Sequence, residues 1–508
     1  MSDNKNLNTL SQIIKDEINK YEHKIDSASA GQVVSVGDNI ATIYGLDEAM
    51  YGELIEFKGD TFGIVMNIEE DSLGVAIFDG DKEIKEGDTC HRTNNVVSVP
   101  VGDELLGRVV NALGKPIDGK GKIKTSKIRP VELVAPQIMD RQSVNKPLET
   151  GIKAIDSMVP IGKGQRELII GDRQTGKTAL AIDTIINQHD KNVYCVYCSI
   201  GQKNSSLAHV VDKLKKADAL KYTSVISSGA SESSSMQYIA PYSAMSIAEN
   251  WMHEGKDVLI VFDDLSKHAV AYRTLLLLLR RSPGREAYPG DIFYLHSRLL
   301  ERSCRLNDEL GGGSITALPI VETLAGDISA YIPTNIISIT DGQLFLNADL
   351  FNAGQRPAID SNLSVSRVGS AAQTKVMKSV SKNLRMALAN YREMLDFSRF
   401  GSDLDKSTKK IINHGAILLE TLKQKQYRPY PTSKEAVEIF VAQSGVLDDV
   451  DPKDVYEIYK LLYNVISSQV NEIYLDIDSN DLFPENAQNK VIEFVKNIKT
   501  NYKKTEVI

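Results

Sequence analysis

At 508 residues the chain is too long for one compact domain, and length alone points to three or four. Its 42% hydrophobic and 25% charged residues supply sizeable cores, and a formal net charge of -8 argues against general nucleic-acid binding, which needs a clustered positive surface. Met1–Leu10 is polar and lacks the apolar core of a signal peptide, and Leu275–Leu279, among the longest apolar runs, is cut at once by Arg280 and Arg281. No run approaches the roughly 18 residues of a membrane span, so any membrane link is expected to run through partners.

In chain order, Leu7, Leu10, Ile14, Ile18 and Tyr21 recur at helical spacing and predict an amphipathic helix over residues 1–28. Packing on its own body and docking to a partner both fit such a helix. From residue 29 to 99 short β-rich runs take over: Gln32–Val36, Ile40–Tyr44, Glu53–Phe57, Gly63–Ile68 and Leu73–Ile77. Turn signals such as Gly37-Asp38 separate them, which predicts a small antiparallel barrel or sandwich. Residues 100–373 alternate strands with helices, the pattern of a mostly parallel α/β sheet. Residues 374–508 read as helical, over Lys375–Phe400, Lys406–Gln426, Ser433–Val441, Pro452–Val470 and Asn486–Asn501.

Of four cysteines, Cys195 and Cys198 form a C-x-x-C within Val193–Ile200, which reads as a buried strand. Side chains three apart on a strand face opposite ways and cannot chelate one ion. Buried apolar thiols are the expected reading for this pair.

The motif that carries chemistry is Gly171-Asp172-Arg173-Gln174-Thr175-Gly176-Lys177-Thr178, a full G-x-x-x-x-G-K-T. The apolar strand Leu168–Ile170 leads into it and Ala179–Gln188 continues as a helix. Such a loop turns backbone N–H groups toward phosphate oxygens, and the helix N-terminus adds a favourable dipole. Lys177 is placed to neutralise the β- and γ-phosphates of ATP or ADP, and the Thr178 hydroxyl to ligate Mg²⁺. Val258–Phe262 is a second apolar run, and Asp263 at its end is the expected carboxylate for the magnesium shell, on a strand next to the loop. Hydrolysis also needs a group to polarise water, and the strand Val193–Ile200 ends in Gly201-Gln202-Lys203. The Gln202 amide can hold a water and cannot take its proton.

With PLETGIKAIDSMVPIG over Pro147–Gly162 running into GQRELIIGDRQTGKT over Gly164–Thr178, the chain resembles the alpha-subunit family of the rotary ATP synthase head. PGREAYPGD (Pro283–Asp291), YLHSRLLER (Tyr294–Arg302), AYIPTN (Ala330–Asn335), SVSRVGSAAQ (Ser364–Gln373), ATIYGLDEAM (Ala41–Met50) and LDDV (Leu447–Val450) match as well. The resemblance runs from about Ser11 to the final helices. It implies a small N-terminal β-barrel, a central RecA-like P-loop domain and a helical C-terminal domain.

The family further implies a ring of three alpha and three beta subunits around a central gamma shaft, with a peripheral stalk engaging the N-terminal helix. The ring sits on the cytoplasmic face of a membrane without spanning it, and makes or hydrolyses ATP coupled to proton transport. Alpha-type subunits hold nucleotide in non-catalytic, regulatory sites, and Gln202 stands where the beta subunit carries its glutamate, so little turnover is expected of this chain alone. By the same resemblance Arg367 reaches the neighbouring beta site as an arginine finger, and Ser338 lies near that site. Ser364 matches a position needed for activity. Arg356, Pro357, Gln424 and Gln426 match residues around the adenine.

The chain departs from the family's usual residues at Asn204, His268, Ser282, Gln355 and Asp360, which bears on affinity and regulation rather than on phosphate or magnesium groups. Two other readings stand beside the first. An alpha-type subunit of an ATP synthase-like motor for motility would share every motif. A self-sufficient hexameric translocase would need its own carboxylate at position 202 and, for a helicase, an RNA face; Gln202 and the acidic balance count against it.

Overall fold

The computed structural model describes residues 30–398 and 405–505; the helix expected over residues 1–28 lies outside them. Six strands, β1 (Ala30–Gly37), β2 (Ile40–Tyr44), β3 (Glu53–Phe57), β4 (Thr61–Ile68), β5 (Leu73–Ile77) and β6 (Thr89–Val96), close a barrel in the order β1-β2-β5-β4-β3-β6. Alternation fills its interior with Val33, Ile43, Ile55, Val65, Val75 and Ile77, all buried. Five strands fall on the β-rich runs of the sequence; β6 does not. Its residues, Thr-Cys-His-Arg-Thr-Asn-Asn-Val, bury only Cys90. The strand forms because β1 on one side and β3 on the other satisfy its backbone, which no apolar pattern records. Arg92 on β6 also grips Glu53, which is 1% exposed, at 2.9 and 3.1 Å. Two later segments, Glu232–Met236 and Ala271–Ser282, belong to the same compact unit.

The second unit begins at Ser98. Strand β7 (Ser98–Pro100) pairs with β9 (Ile128–Pro130) in a two-stranded ribbon. The main sheet takes β8 (Val109–Asn111), β10 (Leu168–Gly171), β11 (Val193–Gln202), β12 (Thr223–Gly229), β13 (Asp257–Asp263), β14 (Ser314–Glu322), β15 (Gly342–Leu346) and β16 (Val365–Ser366). Their order is β16-β15-β10-β14-β13-β11-β12-β8, parallel throughout except for the edge strand β16. β10, β12, β13 and β14 are buried along nearly their whole length, as a parallel sheet with both faces covered requires. Cys195 and Cys198 lie buried on β11, and burial pushes both thiols up, away from the thiolate that metal or redox chemistry uses.

Past Gln373 the described chain is helical: Lys375–Val380, Leu384–Ser398, Lys406–Leu422, Thr432–Gln443, Val455–Gln469, Glu472–Asn480 and Glu485–Thr505. The single helix expected from Lys375 is two: the first ends at Val380, capped by Ser381, and the second begins at Leu384. The helix from Lys406 stops at Leu422 rather than Gln426: Lys423 turns extended and the chain is drawn toward Gly151. Among the described residues no helix is long and apolar enough to cross a membrane.

One buried ion pair braces the P-loop unit. Arg302, 1% exposed, donates to both oxygens of Glu249 at 2.7 and 2.8 Å and also to Val131 and Ser246. Glu249→Ala leaves that guanidinium buried without its counter-ion, so stability is expected to fall by about 3–5 kcal/mol. Trp251, the chain's one tryptophan, is buried in the same helix, Ser234–His253, and its fluorescence during urea unfolding reads the loss directly.

Candidate nucleotide-binding site

Leu168, Ile169 and Ile170 bury β10 in the interior of the sheet between β15 and β14, and the chain leaves its carboxyl end through Gly171–Gly176 into the helix Lys177–Ile186. Gly176 has φ 101° and Gln174 φ 64°, the left-handed turns that let the loop curl. A Cβ on Gly171 would stand 2.5 Å from the Leu346 carbonyl, so the close strand approach also needs glycine there. Asp172 pins the loop from outside, accepting from the Thr323 hydroxyl at 2.6 Å and the Gly326 N–H at 2.9 Å. The Thr175 hydroxyl bonds the Asp172 carbonyl at 2.8 Å, and Arg173 pairs with Glu322 at 2.9 Å. Lys177 is 6% exposed, its ammonium donating to the carbonyls of Gly171 and Asp172 at 2.8 and 2.6 Å. Burial lowers its pKa, against the pull of Glu322, Asp264, Asp263 and Asp172.

Asp263 ends β13, which is not the strand beside the loop: β14 lies between β10 and β13. The helix Lys177–Ile186 bridges that gap, and the Thr178 hydroxyl donates to Asp263 Oδ2 at 2.7 Å. A hydroxyl and a carboxylate side by side form the hard-oxygen donor set that suits Mg²⁺. Tyr197 on β11, unflagged by the sequence, donates to the same Oδ2 at 2.7 Å. Gln202 ends β11 and donates from Nε2 to Asp263 Oδ1 at 3.0 Å, so an amide stands at the mouth of the site facing the carboxylate. Neighbouring Asp264, 1% exposed, has its carboxyl pushed up to about 7 by burial and by the charge of Asp263.

The other end of the site is apolar. Leu180, Leu346, Phe351 and Pro357 line a small cavity with Gly176, Arg356, Gln424 and Gln426. The two glutamines differ in what they have left to offer. Gln424 donates to the carbonyls of Gly151 and Arg428 at 2.7 and 3.0 Å and accepts from the Lys153 N–H at 3.2 Å, so its amide is committed to the protein. Gln426 is exposed at the cavity mouth. The Arg356 guanidinium lies over the Phe351 ring at 4.4 Å. Asp183, from the helix after the loop, also lines this cavity. It is 6% exposed, its Oδ1 has no hydrogen-bond partner, and burial raises its carboxyl to about 7. The signal was an aspartate inside Ala179–Ile186, a stretch of helix apolar but for its neighbour Thr184.

Arg367, Ser364 and Ser338 are elsewhere. Arg367 follows β16, and its N–H bonds the Asp341 carbonyl at 2.8 Å at the start of β15, while Gly171 is in register with Leu346 at the end of β15. Five residues of strand at about 3.3 Å each and two strand spacings of about 4.8 Å separate Arg367 from the loop by roughly 19 Å, more than an arginine side chain spans. The side chain is exposed, and among the described residues it makes no ion pair. Ser364, fully buried, accepts the Phe345 N–H at 2.9 Å through its hydroxyl, and Arg385 holds its carbonyl and that of Ser361. That serine therefore ties the loop before Arg367 to β15. Ser338 is exposed on the helix Tyr331–Ile339, its hydroxyl bonded to the Asn335 carbonyl at 2.6 Å.

Family models match along the chain: the ATP synthase alpha/beta family beta-barrel domain at residues 26–94, its nucleotide-binding domain at 151–366 and the C-terminal domain at 373–498. The ATP synthase subunit alpha of Clostridium botulinum strain Hall is 56% identical over 490 residues, 96% of this chain and 97% of its own length. That of Metamycoplasma arthritidis is 62% identical over 441 residues, covering 87% and 84%.

The chain belongs to the ATP synthase alpha-subunit family.

In this family member three of the residues read as departures from the expected pattern, His268, Gln355 and Asp360, are built into the structure. His268 is fully buried, stacked on Tyr238 with ring centroids 6.1 Å apart, and burial drives its pKa well down. Gln355 donates to the Leu419 carbonyl at 3.3 Å, and Asp360 pairs with Arg392 at 3.0 Å. Both contacts join the P-loop domain to the helices behind it.

Proposed function

We propose that this chain is the non-catalytic, regulatory alpha subunit of a rotary ATP synthase, binding Mg-ATP or Mg-ADP in its own P-loop and lending Arg367 to a neighbouring beta subunit. The observation that carries the reading is Gln202: its amide donates to Asp263 at 3.0 Å, at the mouth where a hydrolytic site needs a proton acceptor. Lys177 and the loop N–H groups would hold the phosphates, Thr178 and Asp263 the magnesium side, and Gln426 with Arg356 and Pro357 the adenine end. Magnesium, when bound, would neutralise phosphate charge.

The register of Arg367 supports a role in trans, since it lies too far from its own loop to serve it. An exposed cation without an ion pair is available to a γ-phosphate on another subunit, where it would stabilise charge spread over the transition state. The same reading carries a three-alpha, three-beta ring on a gamma shaft, a peripheral stalk met by the N-terminal segment, proton-coupled ATP synthesis or hydrolysis, and peripheral attachment at the cytoplasmic face of the membrane.

The test is Mg-ATP binding and hydrolysis by the purified full-length chain in one preparation. Stoichiometric binding with phosphate release no faster than the buffer control is the expected result. Sustained turnover by the chain alone would sink the non-catalytic assignment.

A further inference from the structure

The loop 423–428 has a second face, toward a cavity of about 500 Å³ that the nucleotide reading leaves unused. Its walls come from the helices Lys153–Met158, Lys406–Leu422, Thr432–Gln443 and Val455–Gln469. Charge there is lopsided: Lys153, Arg356, Lys423, Lys425, Lys434 and Lys460 face two carboxylates. Both carboxylates are taken, Glu438 by Lys153 at 2.7 Å and Glu420 by Lys423 at 2.5 Å, while Lys460 pairs outside the cavity with Glu457 at 3.3 Å.

Among the described residues Lys434, Lys425 and Arg356 have no carboxylate partner. They rest on ring faces instead: Lys434 lies 3.7 Å over Tyr430 and 5.0 Å over Tyr463, Lys425 5.0 Å over Tyr456, and Arg356 4.4 Å over Phe351. Burial lowers the Lys434 pKa and the like charge of Lys153 adds to it, with Glu438 and Tyr456 pulling the other way. A bound anion would relieve that crowding. The ring faces already carry cations, so what the cavity offers a ligand is N–H donors rather than a stacking platform. Its volume is that of a small-ligand site.

We propose that this cavity is a second anion site, which takes a compact phosphoanhydride such as inorganic pyrophosphate or the diphosphate end of a nucleotide. Short charge-assisted hydrogen bonds from Lys434 and Lys425 would hold the bridging and terminal oxygens, and the planar Arg356 would close the side toward the base end. Arg356, Gln424, Lys425 and Gln426 line both cavities, so an anion here changes the loop that borders the adenine. That coupling rests on the proposed nucleotide site; the anion site itself does not.

The experiment is calorimetric titration of the full chain with inorganic pyrophosphate, with Lys177→Ala removing competing phosphate binding at the P-loop. Saturable binding is expected to persist in the Lys177→Ala chain, to weaken about tenfold or more when Lys434→Gln is added, and to return with Lys434→Arg. Lys460→Gln, on the exposed rim, is expected to weaken it about threefold without touching the interior. Competition by ADP in the same chain identifies a nucleotide tail as the ligand, and failure of ADP to compete identifies the free anion. The proposal is overturned if a folded Lys177→Ala chain, checked by circular dichroism, shows no saturable binding, or if Lys434→Gln leaves binding unchanged. Failure of the wild-type chain to bind Mg-ATP would instead count against the nucleotide reading alone.

Discussion

Arg367→Ala is expected to cut ATP turnover of the assembled complex by about 10³-fold or more while leaving Mg-ATP affinity of this chain within about twofold. The split follows from where the residue sits. Its backbone is fixed by the Asp341 carbonyl, and the preceding loop is tied down by Ser364 and Arg385, so the guanidinium leaves a rigid edge of the sheet. Rigidity matters because a cation stabilises a transition state only where charge develops, and a loosely held one loses most of that effect. Removing an exposed side chain from this edge touches neither the loop at Gly171 nor the core. Arg367→Lys should recover little, since an ammonium cannot reproduce the planar fork. Steady-state hydrolysis by the complex reconstituted with its beta partner gives the first number and nucleotide titration of the isolated chain the second. Turnover equal to wild type would remove the in-trans role.

The site divides by how its parts are distributed along the chain. Gly171–Thr178 is contiguous, so the groups proposed to face phosphate are legible from spacing alone, and Asp263 announces itself as an acid closing an apolar run. Strand adjacency is a different kind of fact: the order β10-β14-β13 depends on crossovers, and a reading that put Asp263 on the next strand had no local signal to correct it. Gln424 shows the same limit. Its partners Gly151 and Lys153 lie more than 270 residues earlier, so nothing nearby told a committed amide from a free one. Strand β6 escaped because barrel closure, rather than side-chain burial, holds it in place. Tyr197 and Asp183 were hidden for the opposite reason: polar groups in runs that read as core carry no motif until their neighbours are known.

Lys177→Ala is expected to weaken Mg-ATP binding to this chain by about 2–4 kcal/mol, roughly 30-fold to 10³-fold in Kd. Two effects add. The first is loss of the ammonium itself, which is desolvated and held at the loop by two carbonyls, so it meets a phosphate without further ordering. The second is the charge left behind: Asp172, Asp263, Asp264 and Glu322 all act on Lys177, and without it the pocket turns anionic toward a polyanion. Magnesium would offset part of that field, so the deficit should be larger for ATP titrated without the metal than with it. Lys177→Arg is not expected to rescue binding, because the side chain is 6% exposed and the larger guanidinium has no room between the Gly171 and Asp172 carbonyls. Equilibrium titration with a fluorescent ATP analogue, with and without magnesium, measures both quantities. Unchanged affinity in the Lys177→Ala chain would mean that the loop at Gly171 does not hold the phosphates.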